Sequence, residues 1–249
     1  MRTCVFVDGE NFRHSIVDLF RDDFHRSDYL PKKASWDLLF DWIVGNTMDG
    51  RRSERIRTYW YVVERIEFWP WHIEKLKNDP TTLLKVLKKD ADFKASFASK
   101  NPADKDQFIE DFTNELIERK ERMTYRSDSW QTVQTQIALT SRCVEFRRAG
   151  SIKYNLFTQK LSSEKAVDVN LATDLISLRD IYDLAIIVSG DQDYVPAVKA
   201  VKDAGKRVVN VSFRTRSGKA LPGGARRLNE ITDWCEELPY AEFKQYLNL

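Results

Sequence analysis

Cysteine, histidine and glycine are scarce in this chain. Its 249 residues include three cysteines, three histidines and nine glycines. Cys4, Cys143 and Cys235 lie far apart, with no C-x-x-C pair, which argues against a zinc knuckle and fits a reducing compartment. His14, His25 and His72 lack metal-ligand spacing. No apolar run approaches the roughly 20 residues that a membrane helix needs. The N-terminal "MRTCVFVDGEN" reads as a strand entering a core and not as a targeting segment. A cytoplasmic protein is expected. An excess of one charge is also missing: Lys plus Arg is 40 and Asp plus Glu is 38, a formal net charge of +2. Any case for a polyanionic partner must rest on local charge.

What is present is a core-forming composition, 42% hydrophobic with 31% charged residues. Residues 3–8, "TCVFVD", form a β-branched and aromatic run, and "GENFRHSIVDLF" turns into a helix with Asn11 or Asp8 as its cap. A helix is predicted over 35–44 and a strand over 55–63. From 64 to 130 the chain is dense in Lys, Asp and Glu with apolar residues at helical spacing, which predicts two or three inserted amphipathic helices. Trp69 and Trp71, at the start of this segment, are expected to anchor its helices. The segment 141–157 is predicted to form a hairpin, or a strand with a long turn, at Ala149-Gly150. It is followed by a helix from 164 to about 179, a strand over 184–189, a helix over 194–203, a strand over 206–213 and short helices from 223. Alternating strands and helices imply an α/β fold with a mostly parallel sheet flanked by helices. The expectation is one domain over 1–249, with 64–130 inserted and 223–249 forming C-terminal helices.

Within that frame, "VSGDQDYVPAV" puts Asp191 and Asp193 directly behind an apolar run ending at Val188. One carboxylate can cap the next helix; a second suggests a ligand. Ligands of such sheets sit beyond the carboxyl ends of the strands. Asp8 ends one strand, and Asp191 and Asp193 follow another. On the helix "EKAVDVNLATDLISLRD", at roughly 100° per residue, Asp168 falls inside the apolar arc and Asp174 at its edge. A carboxylate on a buried stripe is costly unless paired or metal-bound. Packed together without a cation, such acids repel. An all-oxygen set selects Mg²⁺ or Mn²⁺. The plainer readings stand beside this: Asp193 as a helix cap, Asp168 paired with a lysine, Asp174 facing solvent.

The blocks "VFVDGENF", "KAVDVNLATDLI" and "LAIIVSGDQDYVPAVKAVKDAGKRVVNVSF" together resemble the NYN domain, in the LabA-like branch of the PIN-like nucleases. The resemblance covers roughly residues 1–20 and 140–215. It implies a Rossmann-like PIN/NYN sheet and metal-dependent RNA hydrolysis, leaving a 5′-phosphate and a 3′-hydroxyl. Carried over by residue, it makes Asp8, Asp168, Asp191 and Asp193 the catalytic, metal-binding acids. Asn11, Ser189 and Asp174 become supporting residues. The inserted segment is a departure that leaves substrate choice and oligomeric state open, and it is a candidate contact for a second copy or a protein partner.

The stretch "SFRTRSGKALPGGARR" leaves a strand predicted to finish on the same rim and carries Arg214, Arg216, Lys219, Arg226 and Arg227 without an acid. With Arg147, Arg148 and Lys153 as a second edge, it suits a polyanion, and single-stranded RNA is the expected substrate. Tyr194 and Phe213 are candidates for base stacking, with core packing the plainer alternative. The chain therefore reads as a Mg²⁺- or Mn²⁺-dependent endoribonuclease. A catalytically quiet RNA-binding module and a small-molecule phosphohydrolase are the rivals. The second lacks a D-x-D-x-T segment after the first strand.

Overall fold

The computed structural model describes residues 1–23, 29–47 and 52–249, so His25 lies outside the described residues. In chain order the elements are β1 (Arg2–Asp8), α1 (Gly9–Leu19), α2 (Trp36–Asn46), β2 (Glu54–Trp69), α3 (Ile73–Leu76), α4 (Pro80–Leu87), α5 (Ala91–Ser99) and α6 (Lys105–Thr140). Then come β3 (Val144–Asn155), β4 (Lys160–Lys165), α7 (Val167–Ser177), β5 (Leu184–Val188), α8 (Val195–Asp203), β6 (Arg207–Arg214), β7 (Ala220–Leu221), α9 (Arg226–Ile231), β8 (Trp234–Leu238) and α10 (Tyr240–Leu247). The chain divides into two compact units. The first holds Met1–Val63, Trp130–Ala149 and Ala166–Leu249; the second holds Glu64–Ser129 and Gly150–Lys165.

The first unit is built on the run of strands β2, β1, β5 and β6. β1 pairs in parallel with both β2 and β5, β5 with β6, and β6 with β8, while β7 runs antiparallel to β6. Apolar side chains alternate onto both faces. Val5, Val7, Ile186, Val188, Val209 and Val211 join Phe12, Ile16, Phe40, Ile43 and Phe243 on one side. Cys4, Phe6, Ala185, Ile187 and Val208 join Leu171, Leu175, Val198 and Leu228 on the other. A parallel sheet buried on both faces explains why β1 and β5 are near-continuous apolar runs. The expected mostly parallel sheet flanked by helices is what the chain forms. From β1 the order grows one way to β2 and the other way to β5 and β6, so the order reverses beside β1. That is where such folds open a crevice.

Several local expectations change. The cap of α1 is Asp8, extended at φ −71° and ψ 106°, and its carboxylate accepts from the Asn11 amide; Asn11 lies inside the helix. β2 continues to Trp69. β3 runs through Ala149-Gly150, with Gly150 taking φ 64° within the strand, and the chain reverses only after Asn155. β4, over Lys160–Lys165, lies where a helix from 164 had been expected to begin, and α7 starts at Val167. The region from 223 is not wholly helical: "WCEEL" forms β8, with Val209 opposite Trp234 and Phe213 opposite Leu238.

The second unit carries α3, α4 and α5, most of α6 and the antiparallel pair of Ser151–Asn155 with β4. Asp79 and Asp90 cap α4 and α5 by accepting from Thr82 and Phe93 amides. Phe93 is buried against Phe97, Phe108 and Phe112, with centroids 5.7, 5.3 and 4.8 Å away. Among the described residues no helix is long and apolar enough to cross a membrane.

Candidate active site at the β1–β5 rim

Register brings the first two motifs together. Val7 of β1 stands opposite Val188 of β5, so Asp8 and Ser189 leave adjacent strands side by side. Asp8 shares strand parity with Cys4 and Phe6, which places it on the face covered by α7. The Ser189 hydroxyl donates to Asp8 Oδ2 at 2.9 Å and accepts from the Asp191 amide at 3.0 Å. Asn11 gives Asp8 two more bonds, from its backbone N–H at 3.1 Å and its side-chain amide at 2.6 Å. Asp8 is fully buried. Gly9 must be glycine for this turn to form, because a Cβ there would stand 2.3 Å from the Tyr61 carbonyl oxygen.

Tyr194 completes the arrangement. It is fully buried, and its hydroxyl lies 2.8 Å from Asp168 Oδ1 and 3.2 Å from Asp8 Oδ2. One phenol thus links the carboxylates of β1 and α7. Burial, then the charges of Asp8 and Asp168, hold it far above the ordinary tyrosine range. The expected alternatives for Tyr194 were stacking and packing; the hydrogen-bonding role was missed. No spacing rule signals it, because it depends on which face of the turn meets α7. Phe213 is core, stacked on Phe243 with centroids 4.0 Å apart.

The acids influence one another. Burial pushes the Asp8 carboxyl up to about 6, with its hydrogen bonds opposing and the Asp168 charge adding to the rise. Asp168, half-buried, is also raised, first by burial and then by Asp191 and Asp193, against the Tyr194 bond. Asp191 accepts from the Asp193 amide at 2.9 Å, capping a short 3-10 turn over Gln192–Tyr194, and Asp193 is exposed. Asp174 has other partners: it accepts from Tyr61 at 3.0 Å and pairs with Arg147 at 2.9 Å. Arg147 also pairs with Glu145 at 2.9 Å and lies over the Tyr59 ring. Arg148 bonds Gln134 and Thr135.

The basic loop is fixed to the acidic motif through glycine. A Cβ on Gly190 would meet the Gly223 carbonyl oxygen at 2.2 Å, and the Gln192 side-chain amide donates to the Gly224 carbonyl at 2.9 Å. Its cations differ in availability. Arg214 pairs with Glu237 and Arg226 with Glu230, while Arg216 lies 4.7 Å from the Tyr240 ring centroid and borders a cavity with Asp18, Asp22 and Asp23. Lys219 and Arg227 are exposed with no side-chain partner among the described residues.

The model of the NYN domain family matches residues 92–223, more than half of the chain. The chain belongs to the NYN domain family. That places it in the PIN-like nuclease superfamily, whose domains generally use divalent metals. The match contains Asp168, Asp191 and Asp193, and Asp8 lies before it. No curated protein matches the chain. A solved structure, a protein of unknown function from Vibrio parahaemolyticus, is 14% identical over 96% of this chain and 91% of its own, with a TM-score of 0.40.

The donor chemistry of this NYN rim fits a hard divalent cation. The acids offer only oxygen, and Asp8 and Asp168 are both raised in a way that a cation would reverse. Among the described residues, no group of three or more His, Cys, Asp or Glu stands at metal-holding distances. The Asp8 carboxylate is instead met by Asn11, Ser189 and Tyr194.

Proposed function

We propose that this NYN protein is a divalent-metal-dependent ribonuclease of the cytoplasm that hydrolyses single-stranded RNA. The observation that carries the reading is the Tyr194 hydroxyl shared by Asp8 and Asp168 at the point where the strand order reverses. A buried carboxylate held beside a second, half-buried one costs stability, and a cation-binding role accounts for that cost. Asp8, Asp168, Asp191 and Asp193 would hold Mg²⁺ or Mn²⁺, which when bound supplies an activated water and charge for the phosphoryl oxygens. Asn11 and Ser189 fix the Asp8 oxygens, and Ser189 also ties Asp191 to Asp8. Lys219 and Arg227, on the segment seated against Gly190, contact flanking phosphates. Asp174 acts through Arg147 and Tyr61, in the packing beneath β2 and β3.

A second reading, RNA binding without cleavage, draws on the hydrogen bonds that already satisfy Asp8 and on the absence of a metal-spaced group among the described residues. The two separate in one assay. End-labelled single-stranded RNA is incubated with Mn²⁺ or EDTA and the native chain or Asp191→Asn. Metal-dependent cleavage to 3′-hydroxyl products, lost in the variant, supports the ribonuclease. Binding without cleavage by the native chain supports the second reading.

A further inference from the structure

The second unit carries a feature that the rim chemistry does not use. β2 ends at Trp69, the chain turns through Pro70 to Trp71, and Trp71 is 55% exposed, while no other tryptophan among the described residues is exposed. The two indoles meet edge to face, with centroids 5.2 Å apart and planes at 88°. Each carries a lysine. Lys89, just after α4, places Nζ 5.0 Å from the Trp69 centroid, and Lys153 of β3 places Nζ 5.7 Å from that of Trp71. Neither ammonium pairs with a carboxylate among the described residues, and both side chains are exposed. The turn is strained where it presents Trp71: His72, a non-glycine residue, sits at φ 54° with no side-chain cap bond for α3. The Leu156 amide ties the base of the turn by donating to the Trp69 carbonyl at 2.7 Å.

An exposed hydrophobic ring alone would be unremarkable. Here three separate segments bring two indoles and two unpaired cations into one patch. Indole faces accept bases and ammonium groups accept phosphates, so the chemistry matches a polyanion that also carries flat aromatic groups. We infer that Trp69, Trp71, Lys89 and Lys153 form a docking platform for single-stranded nucleic acid within the second unit. A single strand is required because only unstacked bases reach an indole. The inference extends the proposed function without depending on it, since it concerns binding and not cleavage.

The test uses the full chain carrying Asp191→Asn, so that cleavage does not interfere, with fluorescein-labelled single-stranded RNA read by anisotropy. Trp71→Ala should weaken binding about tenfold, and Trp71→Phe should recover most of it. Lys89→Ala/Lys153→Ala should flatten the slope of log K against log salt by about 0.7 per lysine. RNA should quench tryptophan fluorescence less in Trp71→Ala. All these side chains except the partly buried Trp69 are exposed, and circular dichroism confirms that each variant is folded. Unchanged affinity and slope in the variants would overturn the platform, as would equal binding of duplex RNA or equal competition by polyglutamate. Because hydrolysis is not measured, failure here leaves the rim chemistry standing, and failure of cleavage leaves this platform standing.

Discussion

Replacing Asp8 by Asn should stabilise this protein at neutral pH while removing its proposed activity. The Asp8 carboxyl is fully buried and its titration is raised from 3.8 to about 6. The folded chain therefore holds this proton more tightly than the unfolded chain. The Asp8 contribution to stability is fully present below the unfolded value, is lost as pH rises through about 6, and levels off only above that value, once the buried charge is fully formed. A shift of that size corresponds to about 3 kcal/mol at most. Asn keeps the carbonyl that accepts from the Asn11 amide and caps helices as well as Asp does. Its amide can meet the Ser189 and Tyr194 hydroxyls after they turn to accept and the Asn11 side chain after it flips to present its carbonyl, and these adjustments hold the gain to roughly 1–3 kcal/mol. Urea unfolding of both chains from pH 3.5 to 8, without divalent metal, measures it. The gap should be near zero at pH 3.5 and open through pH 4–6. A gap that is absent, reversed or independent of pH would refute the claim that a strained buried carboxylate sits at this rim.

Other substitutions probe the surroundings. Gly190→Ala forces a Cβ against the Gly223 carbonyl oxygen and should cost about 1–3 kcal/mol in urea unfolding, with weaker RNA binding because the basic segment is displaced. Arg147→Met leaves the Asp174 carboxylate with only Tyr61. It should destabilise by about 1–3 kcal/mol without changing the salt slope of RNA binding, a result that would separate Arg147 from phosphate contact. Lys219→Ala and Arg227→Ala should each flatten that slope, by about 0.7 on a single strand. Arg214→Ala, whose guanidinium is held by Glu237, should change it little; equal effects from all three would show that pairing does not decide which cations touch RNA.

Much of this site can be read from chain chemistry alone because its frame is a doubly covered sheet. Strands such as Leu184–Val188 must be apolar throughout, so the residue after the run marks the rim, and that placed Asp8 and the Ser189–Asp193 motif. Strands with polar faces gave no such signal. β4 is "KLSSEK" and β8 is "WCEEL", and each exists because a neighbouring strand offers its backbone. Gly150 read as a turn because glycine permits one, yet its φ of 64° is absorbed inside β3. Asp174 illustrates the limit of helical projection. The angle placed it at the edge of the apolar arc, but Arg147 and Tyr61, from distant strands, decided its partners. Tyr194 was missed for the same reason, since a phenol becomes a bridge only when two carboxylates from other segments arrive on either side of it.

The central claim is that these acids converge on a divalent cation. Calorimetric titration of Mn²⁺ into the native chain and into Asp8→Asn/Asp191→Asn, both checked for folding, tests it most directly. The native chain should bind saturably, and the variant should not bind at all. No binding to the folded native chain, or equal binding to both, would contradict it.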